Sequence, residues 1–210
     1  MIYLLVGVFL IYLSFVEIFQ RKAQNSKFSF FIALLLLFFL SGMRHEVGKD
    51  WHAYLYFYNN TEFTYKYVEI GYSMINDLFS TMGLNYNIFL FAISFITLLF
   101  IYKVGINLKY KLIFLFVYFS ELFLYLNFSG MRQGIAIAIT LFSVKYIMEK
   151  RMYHFFVTVG FATLFHFTAI VFIVSYFIYW FCRSVRKDIF IFSFLALGVF
   201  FLDNFIELII

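Results

Sequence analysis

The amino-acid sequence predicts an all-α, polytopic integral membrane helix bundle of about seven or eight transmembrane helices with an external amphipathic segment. Of its 210 residues, 65% are hydrophobic and only 13% are charged, whereas a soluble domain is about half apolar and a quarter charged. The chain has no proline, and its basic residues stand in short clusters between long apolar runs. This distribution is typical of membrane spans joined by short loops. We therefore expect a single transmembrane domain over residues 1–210.

Most of the predicted helices are single apolar runs of the length that crosses a hydrocarbon core of about 30 Å. They are 2–19, 28–43, 86–102, 112–128, 130–148 and 189–210. The first run lacks a basic n-region and a small-residue cleavage site, so we interpret it as a retained helix rather than a signal peptide. The chain is still apolar at 205–210, which favours the N-terminal part of a longer membrane protein over an end in the bilayer interface.

Two segments need a separate interpretation. The run 153–181 would measure about 43 Å as one helix, which is longer than a single span needs. We favour a pair of short helices that turn near His166, with one long tilted helix as the alternative. In the long polar interval after residue 44, the segment 69–83 places its apolar residues on one side and predicts an amphipathic helix lying on the membrane surface.

The basic clusters predict the orientation of the chain. With the amino terminus outside, the clusters 21–27, 103–111 and 145–151 all fall on the cytoplasmic side, as the positive-inside rule requires. The cluster 183–187 agrees only if 153–181 crosses twice. The net charge of +5 is divided among these clusters. We therefore interpret it as a determinant of membrane orientation and expect no nucleic-acid partner.

Several chemistries are disfavoured. Cys182 is the sole cysteine, so an intramolecular disulfide is impossible and a cysteine-based metal site is improbable. A nucleotide-binding glycine loop, an HExxH motif and a GxSxG motif are absent from the sequence, which argues against an ATP-driven pump and a membrane metalloprotease. We predict neither a metal nor a cofactor.

A repeated tetrapeptide marks the candidate site. Ser-Gly-Met-Arg occurs at 41–44 and again at 129–132, each time at a predicted external helix boundary. Either each arginine only reaches the headgroups, or Arg44 and Arg132 point into one external cavity. Arginine suits a phosphate or diphosphate because its planar group donates two parallel hydrogen bonds. After Arg132 and Gln133, the small residues Gly134 and Ala138 predict close packing against another helix.

Other ionisable residues share the predicted external side. Lys49 could add a positive charge, and Asp50 and Glu69 are carboxylates that could serve as salt-bridge partners or as a general base. His166 lies among apolar residues, where an ionisable group is either a hydrogen-bonded core residue or a functional one. Glu121 lies about 10 Å inside the fourth span, where we expect it either to pair with a buried donor or stay protonated, or to serve in proton-coupled transport. The tyrosines of the external loop predict either an interfacial belt or a surface for sugar stacking.

The sequence resembles the EpsG-like, Wzy-type polysaccharide polymerases of bacterial inner membranes. The resemblance rests on Arg44 with 48–51, on Glu-Ile-Gly-Tyr at 69–72, on Met-Arg-Gln-Gly-Ile-Ala at 131–136, and on His166. It implies a multi-pass protein of the cytoplasmic membrane that joins undecaprenyl-diphosphate-linked oligosaccharide repeat units on the outer face. It also implies a flippase and a chain-length regulator as partners, besides the lipid bilayer.

The resemblance gives the candidate residues roles. Arg44, Arg132 and Gln133 would bind the diphosphate, and Asp50 or His166 would take the proton of the acceptor hydroxyl. Two other classes stay open: a lipid-linked glycan transporter, for which Glu121 is the best indication, and a membrane acyltransferase with His166 as its base. Longer chains, moved lipid and acylated sugar are the products that distinguish them.

Overall fold

The computed structural model describes residues 1–19 and 24–181. Over these ranges the chain is helical, with short turns and no strand. The helices are α1 (Ile2–Phe19), α2 (Gln24–Gly42), α3 (Trp51–Asn59), α4 (Thr61–Tyr67), α5 (Ile70–Thr81), α6 (Tyr86–Gly105), α7 (Lys111–Tyr118), a π-helical turn (Phe119–Phe123), α8 (Leu124–Leu126), α9 (Met131–Met148), α10 (Met152–Thr163), a 3-10 helix (Phe167–Ile173) and α11 (Val174–Phe181). The predicted helix at 189–210, the basic cluster 183–187, Cys182 and part of the cluster 21–27 lie outside the described residues.

The chain forms two compact units, Met1–Val171 and Phe172–Ile210. The candidate site residues all lie in the first unit. The predicted single transmembrane domain stays a prediction.

The predicted helices agree closely with the observed ones. Helix α1 has the predicted bounds, and α9 covers the predicted fifth run less its first residue. The run 153–181 is broken, because α10 ends at Thr163 and a turn at 164–166 precedes the 3-10 helix. The expected break near His166 is thus confirmed, while a double crossing by this run stays a prediction.

Two of the described helices, α1 and α6, are long and apolar enough to cross a membrane, and α2 contains a shorter apolar stretch over Ser26–Gly42. The outer faces of these helices carry large apolar side chains that the rest of the chain leaves exposed. Leu4, Phe15, Phe28, Phe31 and Phe95 are among them. Soluble proteins rarely expose so much contiguous apolar surface, and lipid is its natural neighbour. The predicted count of seven or eight spans stays a prediction.

Helix α5 has the predicted amphipathic character. Its buried side carries Tyr72, Ser73 and Asn76, whereas Ile70 and Met74 on the opposite side are exposed. The polar side chains therefore pack inward and the apolar ones face outward, the reverse of a helix on a soluble domain. This orientation is expected for a helix that rests its apolar face in a membrane interface.

Two apolar cores hold the first unit together. One joins α1, α2 and α7 with the π-helical turn, through Leu10, Phe30 and Phe123 among others. The second is aromatic and lies between α3, α5, α6 and α9. Its buried members include Trp51, Tyr54, Tyr58, Tyr72, Tyr86 and Phe89. The second core supports the candidate site.

The start of α7 is capped by a carboxylate from another helix. Glu17, near the end of α1, accepts the backbone N–H groups of Lys111 and Leu112 at 2.9 Å each and that of Ile113 at 3.3 Å. The first N–H groups of a helix have no partner within it, so an external acceptor is needed when they are buried. Glu17 therefore joins the ends of α1 and α7, which the predicted topology places on the same side of the membrane.

We expect Glu17→Ala to destabilise the protein by about 1–3 kcal/mol, because it leaves these buried donors without an acceptor. The unfolding temperature of the purified protein in detergent should fall measurably. Glu62→Ala, which removes an exposed carboxylate from α4, is the matched control and should leave that temperature unchanged. An equal unfolding temperature for both variants would contradict the capping role.

Candidate active site

Glu69 is the centre of a charged cluster formed by residues distant in sequence. One of its carboxylate oxygens, Oε2, forms a salt bridge with the Arg132 guanidinium. The other, Oε1, lies 3.0 Å from Nδ1 of His166 and accepts the backbone N–H of Phe167 at 3.3 Å. The cluster thus brings together a cation, a carboxylate and an imidazole, each of which the sequence marks as a candidate.

A close backbone contact positions these groups. The N–H of Gly71 in α5 donates to the carbonyl of Leu164 at 2.7 Å. A Cβ at position 71 would lie 2.7 Å from that carbonyl oxygen, so only glycine allows this approach. Glu69 directly precedes α5 and His166 closes the turn after α10. The contact therefore fixes the carboxylate next to the imidazole.

The cluster is partly shielded from solvent. The side chain of Glu69 is 19% exposed, and those of Arg132 and His166 are each 25% exposed. Burial raises the pKa of Glu69, but the bonds from His166, its own backbone and Arg132 outweigh that effect and bring the pKa to about 2. Glu69 is therefore an ionised carboxylate near neutral pH and can act only as a hydrogen-bond acceptor.

The aromatic core lies against the cluster. Burial raises the pKa of Tyr54, and the charge and hydrogen bonding of Arg132 oppose this rise. Burial also raises the pKa of the fully buried Tyr72 well above its ordinary value, and the charges of Arg132 and Arg44 both oppose it. One phenol is therefore within electrostatic reach of both arginines, whose positions are 88 residues apart in the sequence (132 − 44).

Arg44 has a different environment from Arg132. It is only 4% exposed. Its guanidinium donates to the carbonyl of Asn127, approaches the sulfur of Met131 and lies 5.3 Å from the centre of the Phe128 ring. The two Ser-Gly-Met-Arg segments therefore meet, since the arginine of the first contacts the methionine of the second. The Arg44 side chain therefore connects the end of α2 to the residues just before α9.

The loop after Arg44 is held against the same segment. The N–H of Lys49 donates to the Ser129 hydroxyl at 2.9 Å. Gly48 has a φ of +109° and lies so close to the carbonyl of Phe128 that a side chain there would collide with it. A positive φ combined with this contact requires glycine. The loop is thereby fixed beside the start of α9.

Some buried donors around the two arginines have no hydrogen-bond partner in the described part of the chain. They are Nε of Arg44, Nε of Arg132, the Tyr72 hydroxyl and Nε1 of Trp51. Each unpaired buried donor costs about 1–3 kcal/mol. Glu69 pairs with Arg132, whereas Arg44 has no ion-pair partner among the described residues. This region therefore holds unpaired buried donors and one guanidinium without a described counter-ion. Such an environment favours an anion with many acceptor oxygens.

The remaining candidates lie around or away from this cluster. Asp50 and Lys49 are exposed, and Asp50 is close enough to Tyr54 to raise its pKa. Gln133 is half-buried in the first turn of α9. Glu121 is exposed on the π-helical turn, where the Ser120 hydroxyl donates to it at 3.4 Å. None of these four makes a described contact with Glu69.

The sequence predicts Arg132, His166 and Glu69 as separate candidates, with Glu69 as one of several carboxylates. Nothing in the sequence pairs Glu69 with Arg132 or His166. Tyr72 stands out only as part of the Glu-Ile-Gly-Tyr segment. The nearest signal is that segment itself, in which a carboxylate directly precedes an amphipathic helix and a glycine lies in the first turn of that helix.

The fold and the site define a helical membrane protein with an arginine–carboxylate–histidine cluster beside a buried aromatic core. The EpsG family matches residues 27–210. The chain belongs to the EpsG family, which confirms the resemblance seen in the sequence and indicates a membrane protein of polysaccharide biosynthesis. No curated protein and no solved structure matches the chain.

Proposed function

We propose that this protein polymerises undecaprenyl-diphosphate-linked oligosaccharide repeat units into exopolysaccharide, capsule or O-antigen. The reaction takes place on the outer face of the bacterial cytoplasmic membrane, in which the chain is a multi-pass protein. A flippase supplies the repeat units, and a chain-length regulator acts with the polymerase. Family membership supports the membrane location and the role in polysaccharide biosynthesis. The Glu69 cluster supports the chemistry.

The single observation that carries the proposal is the joint contact of Glu69 with Arg132 and His166. Polymerisation breaks the bond between the anomeric carbon of the growing glycan and the diphosphate oxygen. A hydroxyl of the incoming unit's terminal sugar forms the new glycosidic bond and loses its proton. The reaction therefore needs a cation for the leaving diphosphate and a base for the hydroxyl, and this cluster holds both.

Arg132 stabilises the charge that develops on the undecaprenyl diphosphate as it leaves. The unpaired Nε donors of Arg132 and Arg44, and the Arg44 guanidinium without a described ion-pair partner, favour the same anionic group. His166 takes the proton of the attacking hydroxyl, with Asp50 as the alternative base. Arg44 contributes mainly through its charge, because its Nη1 and Nη2 groups are already engaged by Asn127 and Met131 and only its Nε is unpaired.

The first test is the surface polysaccharide profile of a deletion strain, resolved by chain length on a gel. We expect single repeat units to accumulate and long chains to disappear, because units arrive at the outer face but are not joined. The intact gene should restore the long chains. An unchanged ladder would contradict the proposal, and lipid-linked units trapped on the inner face would identify a transporter instead.

A further inference from the structure

The contact between Glu69 and His166 restricts the protonation of the imidazole. Oε1 of Glu69 lies 3.0 Å from Nδ1 of His166, which is a hydrogen-bond distance. An ionised carboxylate has no proton to donate. The proton in this bond must therefore come from Nδ1 of the histidine. When the ring is neutral, its other nitrogen, Nε2, then has a free lone pair.

We infer that Glu69 is a positioning residue that fixes His166 in the Nδ1–H tautomer and leaves Nε2 as the atom that accepts a proton. This inference deepens the proposed function and rests on it for the identity of the proton donor, the hydroxyl of the acceptor sugar. That hydroxyl forms its bond to the anomeric carbon while its proton moves to Nε2, and the bond from that carbon to the diphosphate oxygen breaks to release undecaprenyl diphosphate. The imidazolium formed in this step is then stabilised by the adjacent carboxylate.

The orientation of Glu69 is itself fixed from several directions. Arg132, on the first turn of α9, holds Oε2, and the N–H of Phe167 donates to Oε1 at 3.3 Å. The hydrogen bond from Gly71 to Leu164 anchors the start of α5 to the turn that carries His166. Both carboxylate oxygens are therefore held by donors, and rotation away from Nδ1 would break these bonds. Preorganisation of this kind is what an orienting residue supplies.

The same carboxylate connects the two halves of the proposed chemistry. Oε2 contacts the cation that would meet the diphosphate, and Oε1 contacts the base that would meet the hydroxyl. A carboxylate that served only to neutralise Arg132 would need no contact with the imidazole. The arrangement therefore assigns Glu69 a role beyond that of an ion-pair partner.

The test reads the tautomer directly by nitrogen NMR. The full-length protein is labelled with ¹⁵N-histidine, reconstituted in lipid, and measured at alkaline pH, where histidine is neutral. The chain has four histidines, and the His166 signals are assigned as those missing from His166→Gln. We expect Nδ1 of His166 to have the shift of a protonated nitrogen and Nε2 that of an unprotonated one.

Glu69→Gln provides the comparison, because its amide can either accept from Nδ1 or donate to it. The tautomer should then no longer be fixed, and the two His166 shifts should move toward each other. Glu62→Gln, the same change at an exposed position in α4, should leave both shifts at their wild-type values.

The inference is overturned by a wild-type His166 with its proton on Nε2, a result that needs His166→Gln only for the assignment and does not depend on the folding of Glu69→Gln. It is also overturned by His166 shifts in folded Glu69→Gln that equal those of the wild type. Because the readout is spectroscopic, it does not depend on glycan synthesis. An unchanged polysaccharide ladder in the deletion strain would count against the proposed polymerase, whereas these shifts count for or against the role of Glu69.

Discussion

Arg132→Ala is expected to abolish long polymer when the variant is expressed at the wild-type level. The substitution removes the cation that would stabilise the leaving diphosphate and leaves the Glu69 carboxylate without its ion-pair partner. Loss of a group that stabilises developing charge costs about 10²–10³ in rate, and an arginine acting on a phosphate group contributes up to about 10⁵. We therefore expect a rate loss of at least about 10³-fold. Normal chain lengths in this variant would refute the role of Arg132.

Two further variants separate chemistry from folding in this experiment. Arg132→Lys keeps the charge but loses the planar group that donates two parallel bonds, so it should retain only a small part of the activity. Arg151→Ala removes an arginine whose side chain is 59% exposed and paired with Glu149. It should leave chain length unchanged, because exposed ion pairs contribute little to stability. Equal membrane levels of all three variants are required for the comparison.

His166→Gln should slow polymerisation by about 10²–10⁴-fold, the usual contribution of a positioned general base. Glutamine is similar in size and can still bond to Glu69, but it does not take up a proton near neutral pH. The measurement is the initial rate with the purified protein and lipid-linked repeat units, with the products resolved by chain length. A wild-type rate for this variant would exclude His166 as the base.

Asp50→Asn is the informative comparison for that experiment, because Asp50 is the other predicted base. It is exposed and makes no described contact with Glu69, so we expect a much smaller loss of rate. If Asp50→Asn lost much more of the polymerisation rate than His166→Gln, Asp50 rather than His166 would be the general base. His154→Gln is the matched control, since His154 is an exposed histidine that packs against the Tyr146 ring in another part of the chain.

The apolar runs of the sequence predict most of the long helices, but not α3 and α4, which lie in the interval interpreted as an external loop. Helix α1 has the bounds that its apolar run predicts, α5 is amphipathic as predicted, and the chain breaks near His166. The reason is local. In a bilayer every backbone polar group needs a partner within its own segment, so the length of an apolar run largely decides where a helix begins and ends.

Which of the charged residues meet depends on how the helices pack in three dimensions. Glu69 lies 63 positions from Arg132 and 97 from His166, and no local pattern joins them. Arg44 and Arg132 end identical tetrapeptides, yet one is buried against the Asn127 carbonyl and the other is paired with a carboxylate. Glu17 likewise caps a helix that begins 94 residues later. These differences depend on which helix ends pack together, and such contacts are set by the shapes of facing helices rather than by the composition of any one of them.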